Sequence, residues 1–144
     1  MNRLIKIATI ISLAILILII PLCTKQQHSY SLISTKWEVS SITAPYRIYI
    51  LIAPTPYPIM FMNDSSFTAR LDVNICEGKY CLEGKNNIKI NTISCTKVDG
   101  DSEFADTLIN IFSNIQSYKI IGDKLELIAP NRIINLEKGL DNSN

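Results

Sequence analysis

Residues 67–80 read FTARLDVNICEGKY. Phe67, Ala69, Leu71 and Val73 alternate with Thr68, Arg70 and Asp72, the two-residue period of a strand that buries one face. Just downstream, KYCLEG (79–84) and NIKINTIS (87–94) flank Gly84-Lys85-Asn86, which reads as a hairpin with a three-residue loop. That loop sets Leu82 opposite Ile88 and Tyr80 opposite Ile90, so the apolar face is continuous. Ile93 is the next large apolar residue, and it is out of phase with Ile90. A one-residue bulge near Asn91-Thr92 returns it to the core side. The same bulge brings Cys76 opposite Cys95, both inward, and leaves Cys81 with the opposite parity. The register therefore predicts a Cys76–Cys95 disulfide and a reduced Cys81.

Working upstream, NDSS (63–66) has the side chains of an Asx turn. IMFM (59–62) reads as a short strand, and PTPYP (54–58) as a break in the ladder, because proline donates no backbone hydrogen bond. YRIYILIA (46–53) is apolar on both faces, which fits either a covered strand or an exposed, adhesive hairpin. TKWEVSSI (35–42) alternates, with Trp37, Val39 and Ile42 on the buried side.

Downstream the period changes. Phe104, Leu108, Ile111, Phe112 and Ile115 form one helical stripe between Asp101 and Gln116. Asp101, Glu103 and Asp106 load its first turns with the charge that suits the helix dipole. SYKIIGDKLELIA (117–129) returns to strand periodicity around a Gly122-Asp123 turn, and RIINLE (132–137) reads as the last strand. The pattern predicts seven to nine short strands and one late helix. Such a chain is mainly β with one α-helix (α+β): a small antiparallel sheet, curled or closed to remove its edges, packed on that helix.

The N-terminus is of another kind. MNRLIKIATIISLAILILIIPLC (1–23) has Arg3 and Lys6 ahead of an apolar run that ends at Cys23, the form of an export signal. Ile7–Leu22 is short of the roughly 20 residues that span a bilayer. Cys23 stands where a lipoprotein signal places its lipidated cysteine. An uncleaved anchor and an ordinary cleaved signal are the alternatives. All three export the domain, the first two leave it on a membrane, and all permit disulfides. The divisions expected are 1–22 signal or anchor, 23–34 polar tether, 35–137 one domain, and 138–144 frayed tail. The choice between inner and outer membrane stays open.

The chain carries 14 basic and 13 acidic residues, and removing the signal takes away Arg3 and Lys6. A near-neutral domain without a Lys/Arg run has no electrostatic footprint for nucleic acid. His28, the one histidine, sits in the tether, and no cluster of zinc-ligand type is visible. Asp99, Asp101, Glu103 and Asp106 lack the calcium-loop spacing and read as a solvated helix start. Tyr46, Tyr49 and Tyr57, near prolines, read as core or rim residues that could line a hydrophobic contact surface. Nothing points to a cofactor, a metal or a catalytic group.

Over about residues 34–136 the chain resembles the META domain, typified by the HslJ-like heat-shock lipoproteins. The matching positions are Trp37 in the first strand, Phe61 ending a strand, and Thr68, Asn74, Gly78 and Tyr80 in the Gly- and Tyr-rich block. Thr96 follows, then Tyr118, Gly122, Asp123, Leu125 and Leu127 at the end. The departures are Ala69 and Asp72 for glycines, Cys76 for a tyrosine, and Val73 and Gly100 at the two cysteine positions. Losing both cysteines together suggests that a bridge went as a unit, with the new cysteines replacing it. The resemblance implies a barrel-like antiparallel sheet with one packed helix, in an envelope or secreted protein with stress associations and no catalytic mechanism. The expectation is a non-enzymatic envelope lipoprotein acting in envelope maintenance or stress response through a protein partner. The alternative is a lipocalin-like binder of a small apolar ligand, which requires an open apolar interior.

Overall fold

The computed structural model describes residues 31–45 and 49–140. Eight strands follow one another around a closed antiparallel barrel: β1 (Lys36–Thr43), β2 (Ile50–Phe61), β3 (Ser66–Arg70), β4 (Ile75–Glu83), β5 (Asn87–Cys95), β6 (Ser117–Ile121), β7 (Lys124–Ala129) and β8 (Arg132–Lys138). Strand β1 closes the ring on β8, with Trp37 opposite Lys138 and Thr43 opposite Ile133. One helix, α1 (Glu103–Phe112), joins β5 to β6.

The β4–β5 hairpin has the bulge its apolar phase demands. Tyr80 faces Ile90 and Lys79 faces Thr92, so Asn91 is the extra residue. Beyond it Cys76 faces Cys95, and a disulfide joins them; Cys81 is a free, half-buried thiol. Cys76 is fully buried and Cys95 half-buried. Leu82, aligned with Ile88 as the register requires, lies at the hairpin end and is exposed.

Between β5 and β6 the ladder shrinks to one pair, Asn87 with Ser117. Helix α1 occupies the connection between these two strands and packs on β2, β7 and β8. Ser102 caps it, its hydroxyl accepting from the Ala105 N–H. Phe104, Ala105, Leu108 and Phe112 are buried, and Ile115 is buried just past the helix end. Phe112 lies 4.9 Å from the ring of Phe67 and 6.2 Å from that of Phe61. Ile111, expected in the buried stripe, is only partly covered and faces the β7–β8 turn.

Strand β2 is continuous through three prolines, but its ladder to β1 is broken there as the sequence reading expects: Val39 pairs with Tyr57 and Ser41 with Ile52, so Ala53, Pro54, Thr55 and Pro56 have no partner on β1. Pro58 stands opposite Glu38, and a proline can fill only a rung without hydrogen bonds, so its nitrogen faces away from β1. Pro54 and Pro56 fall in the slip between Tyr57 and Ile52, where the β1–β2 ladder has no rung. Strand β3 pairs only with Ile59–Phe61, so no neighbour needs the missing donors. The β1–β2 and β1–β8 ladders both slip at Ser40, and the amide of Asn135 bonds the hydroxyls of Ser41 and Thr43 there, each at 3.2 Å.

The polar tether is also shorter than expected. Leu32 is buried, and its carbonyl accepts from Trp37 Nε1 at 3.2 Å. Ile33 forms a parallel bridge with Phe61. Two adjacent apolar residues, Leu32 and Ile33, in a polar run carry no periodic signal, so the sequence pattern starts the domain late. At the other end Lys138 completes β8, and the Gly139 N–H donates to Lys36 O, so the tail begins after them.

Candidate functional site

The FTARLDVNICEGKY stretch folds into β3, a loop and the start of β4, and its polar residues gather where α1 begins. Asn74 is the hub. It is the one buried polar residue among those described. Its amide nitrogen donates to Val98 O and to Asp101 Oδ2, each at 2.7 Å. Its amide oxygen accepts from Thr96 Oγ1 at 2.7 Å and from the Val98 N–H at 2.9 Å. Asp101 Oδ1 accepts from the Val73 N–H at 2.9 Å and the Asn74 N–H at 3.3 Å. Asp72 accepts from Tyr57 Oη at 2.8 Å, from Ser102 Oγ at 2.7 Å and from the Ser102 N–H at 2.9 Å.

The electrostatics follow from these donors. The Ser102 hydroxyl and N–H hold the Asp72 carboxyl below the usual carboxylate range. Desolvation pushes Asp101 upward, but the Val73 N–H, the Asn74 amide and the Asn74 N–H outweigh it, so its carboxyl also lies low. Asp101 is thus a clamp on the β3–β4 loop rather than the solvated helix-start charge its position suggests. Each carboxylate is committed to holding the loop against the helix cap, which is structural chemistry. Among the described residues no buried side-chain nitrogen or oxygen lacks a partner. None of them forms a group of three or more His, Cys, Asp or Glu placed to hold a metal.

The remaining motif residues have structural duties too. Trp37 and Phe61 are fully buried, and Phe61 meets Tyr80 edge-on at 5.2 Å. Tyr80 Oη donates to Met62 O at 2.7 Å, and burial, then the nearby Asp64, pushes that hydroxyl's pKa up. Tyr118 Oη reaches Lys85 O at 3.4 Å. Gly122 takes the positive φ of the β6–β7 turn, and the Asp123 carbonyl accepts from the Lys138 N–H. Val73 and Gly100 lie side by side: a Cβ on Gly100 would stand 3.5 Å from Val73 Cγ1. Cys23, His28, Tyr46 and the signal-like segment 1–22 lie outside the described residues.

The interior is filled by protein. Trp37, Tyr57, Phe61, Phe67, Leu108 and Phe112 are all under 2% exposed, and the last two come from the helix. Exposed apolar residues are spread over the surface, Val73, Ile75 and Val98 among them, and three lie together in a rim where β1 ends and β2 begins. Tyr49, Ile50 and Ile52 are 47%, 55% and 68% exposed. Arg132, from the β7–β8 turn, lies 5.3 Å over the ring of Tyr49. Of the two readings of YRIYILIA, the exposed hairpin describes Tyr49–Ile52. Tyr57, grouped with Tyr49 by composition, is instead fully buried. Arg132 had no sequence signal, because its partnership depends on the strand register.

No protein-family model matches the chain, and no curated protein matches it. Two solved structures are similar. The NMR structure of a protein from Burkholderia xenovorans has a TM-score of 0.63 at 12% identity, over 75% of this chain and 83% of that one. The crystal structure of a DUF4847-family protein from Bacteroides vulgatus has a TM-score of 0.58 at 17% identity, over 75% of this chain and 94% of that one. At these identities the likeness is one of fold.

Proposed function

We propose that this chain is a non-enzymatic envelope lipoprotein of the META or HslJ-like kind. It is exported, held at a membrane through lipid on Cys23, and acts in envelope maintenance or stress response by contact with an envelope protein. The observation that carries the reading is the closed interior beside an open rim. The helix fills the barrel, the motif's polar groups are consumed in holding the loop to the helix cap, and Tyr49, Ile50 and Ile52 are left exposed at the rim. The family assignment draws support from Val73 and Gly100, the two positions that would carry the family's cysteines, because they are neighbours. The rival reading, a lipocalin-like binder, asks for an apolar interior space that Phe112 and Leu108 occupy.

The test is intact mass and lipid labelling of the membrane fraction, with Cys23→Ala beside the parent. The parent should carry lipid at Cys23 as its first residue, and Cys23→Ala should be released or mislocalised. A Cys23→Ala chain that stays fully membrane-bound with its N-terminus intact would show an anchor instead. For the role itself, a deletion strain is complemented with the parent or with Ile52→Glu. Full rescue of envelope integrity by a folded, correctly located Ile52→Glu would remove the rim from the function.

A further inference from the structure

Strand β5 is paired along one edge only. Beyond Asn87 it parts from β6, and among the described residues no backbone group outside β4 bonds to Lys89–Cys95. Two bonds fix which groups face the open edge. The Ile88 N–H donates to Gln116 O, on the β6 side, and the Thr96 N–H donates to Ile75 O, on the β4 side. Backbone groups along an antiparallel strand turn alternately to its two neighbours. Counting from Ile88, Ile90 therefore turns to the open edge; counting back from Thr96, so do Cys95 and Ile93. The bulge at Asn91 stands between, with the Thr92 carbonyl turned to Gly78 of β4. The open donors and acceptors thus step by three residues from Ile90 to Ile93, where a regular strand presents them at every second residue. Such a step blunts the edge against a regular strand.

A strand with the matching step is β5 itself. Set two copies antiparallel, with Ile90 opposite the second copy's Ile93, and every opposed pair agrees in facing. Ile90 and Ile93 are half-buried against the core, whereas Lys89 and its opposite Ser94, and Asn91 and its opposite Thr92, are exposed. Ile90 and Ile93 then exchange N–H···O=C bonds twice by symmetry, and each covers a flank of the other that β6 leaves open. The charges agree as well. Lys89 and Glu77 are exposed, and neither has an ion-pair partner among the described residues. Glu77 stands opposite Ser94 on β4. In the pair, Lys89 of one copy therefore lies across the short Ser94 from Glu77 of the other. Their backbones are two strand spacings apart, about 10 Å, which the two long side chains span. Strand β5 ends at Cys95, so the second copy's strand stops short of Asn87, where β6 takes the edge. We propose that two copies of this chain join edge to edge through β5, about a two-fold axis between Asn91 and Thr92.

The experiment uses the full chain in detergent micelles, with Cys23→Ala and Cys81→Ser removing the other thiols. Lys89→Cys and Ser94→Cys are made as separate chains and mixed under mild oxidation. The two positions face each other as a non-hydrogen-bonded pair, the closer kind, which a small twist brings within disulfide range. The mixture should give a disulfide-linked dimer, and either chain alone should give little. Analytical ultracentrifugation without cross-linking carries the charge test. Lys89→Glu sets like charges at both symmetric contacts and should weaken the dimer about tenfold. Adding Glu77→Lys to it should restore the affinity, which a variant that had merely lost its fold would not do. Trp37 is the one tryptophan and is fully buried, so its emission reports an intact barrel in each variant. A chain that stays monomeric at every concentration overturns the pairing. A dimer that Lys89→Glu leaves unchanged, or cross-linking as strong in each single variant as in the mixture, places the contact elsewhere and overturns it too.

Discussion

Gly78 faces Phe67 across the β3–β4 ladder with no room for a methyl group between them. A Cβ at Gly78 would fall 2.6 Å from Phe67 Cε1 and 2.0 Å from Thr92 O, the carbonyl beside the bulge. The glycine is needed because the bulged strand on one side and the aromatic ring on the other both press on its Cα. Gly78→Ala should cost about 3 kcal/mol by urea unfolding, at the upper end for overpacking. A loss below about 1 kcal/mol would mean that the bulge yields at little cost.

The buried stripe of α1 makes a sharper contrast. Phe112→Ala removes a fully buried ring that touches Phe61 and Phe67 and should cost about 3–5 kcal/mol. Asn110 is exposed on the other face, and Asn110→Ala should stay within about 0.5 kcal/mol. Similar losses at the two positions would contradict the packing.

These two positions also show what the sequence made legible. The helix was readable because five apolar residues repeat at its period. The Cys76–Cys95 pairing was readable because Ile90 and Ile93 cannot share a face without an extra residue between them, and that residue resets everything beyond it. The break of the β1–β2 ladder at Pro54 and Pro56 was readable, because proline donates no backbone hydrogen bond; that the strand stays extended through it was not, because that depends on whether a neighbour claims the edge. The clamp by Asp101 was equally hidden, since two N–H groups 27 and 28 residues away supply its partners.

The disulfide closes a loop between residues 19 apart, worth about 3 kcal/mol by chain entropy. Non-reducing peptide mapping should find Cys76 linked to Cys95, and Cys81 alone should take up a thiol reagent in the folded protein. A Cys76–Cys81 or Cys81–Cys95 link would refute the bulged register.

Asp72 and Asp101 set the acid response. Both carboxyls have folded pKa values below their unfolded value near 4. Each therefore contributes stability that is present above about pH 4 and is lost as pH falls through the lower, folded value. Unfolding midpoints should drop below about pH 4, and Asp72→Asn should flatten that decline while lowering stability at neutral pH. An unchanged slope in Asp72→Asn would leave its hydrogen bonds to Ser102 without energetic weight.

The neighbours Val73 and Gly100 permit a direct test of the family reading. With Cys76 and Cys95 replaced by Ala, Val73→Cys combined with Gly100→Cys should oxidise to a bridge, despite the positive φ at position 100. Two thiols that stay free under oxidising conditions would count against these positions as a former bridge site.

The closing contact of the barrel, Trp37 against Lys138, joins the first strand to the last. A ribosome delivers β1 some ninety residues before its second neighbour exists, so the ring cannot shut until the final strand has been released. Until then the nascent chain keeps two open strand margins, one on β1 and one on the last strand made. The topology itself thus puts closure of the ring after the synthesis of β8, whatever the order in which the other strands pair.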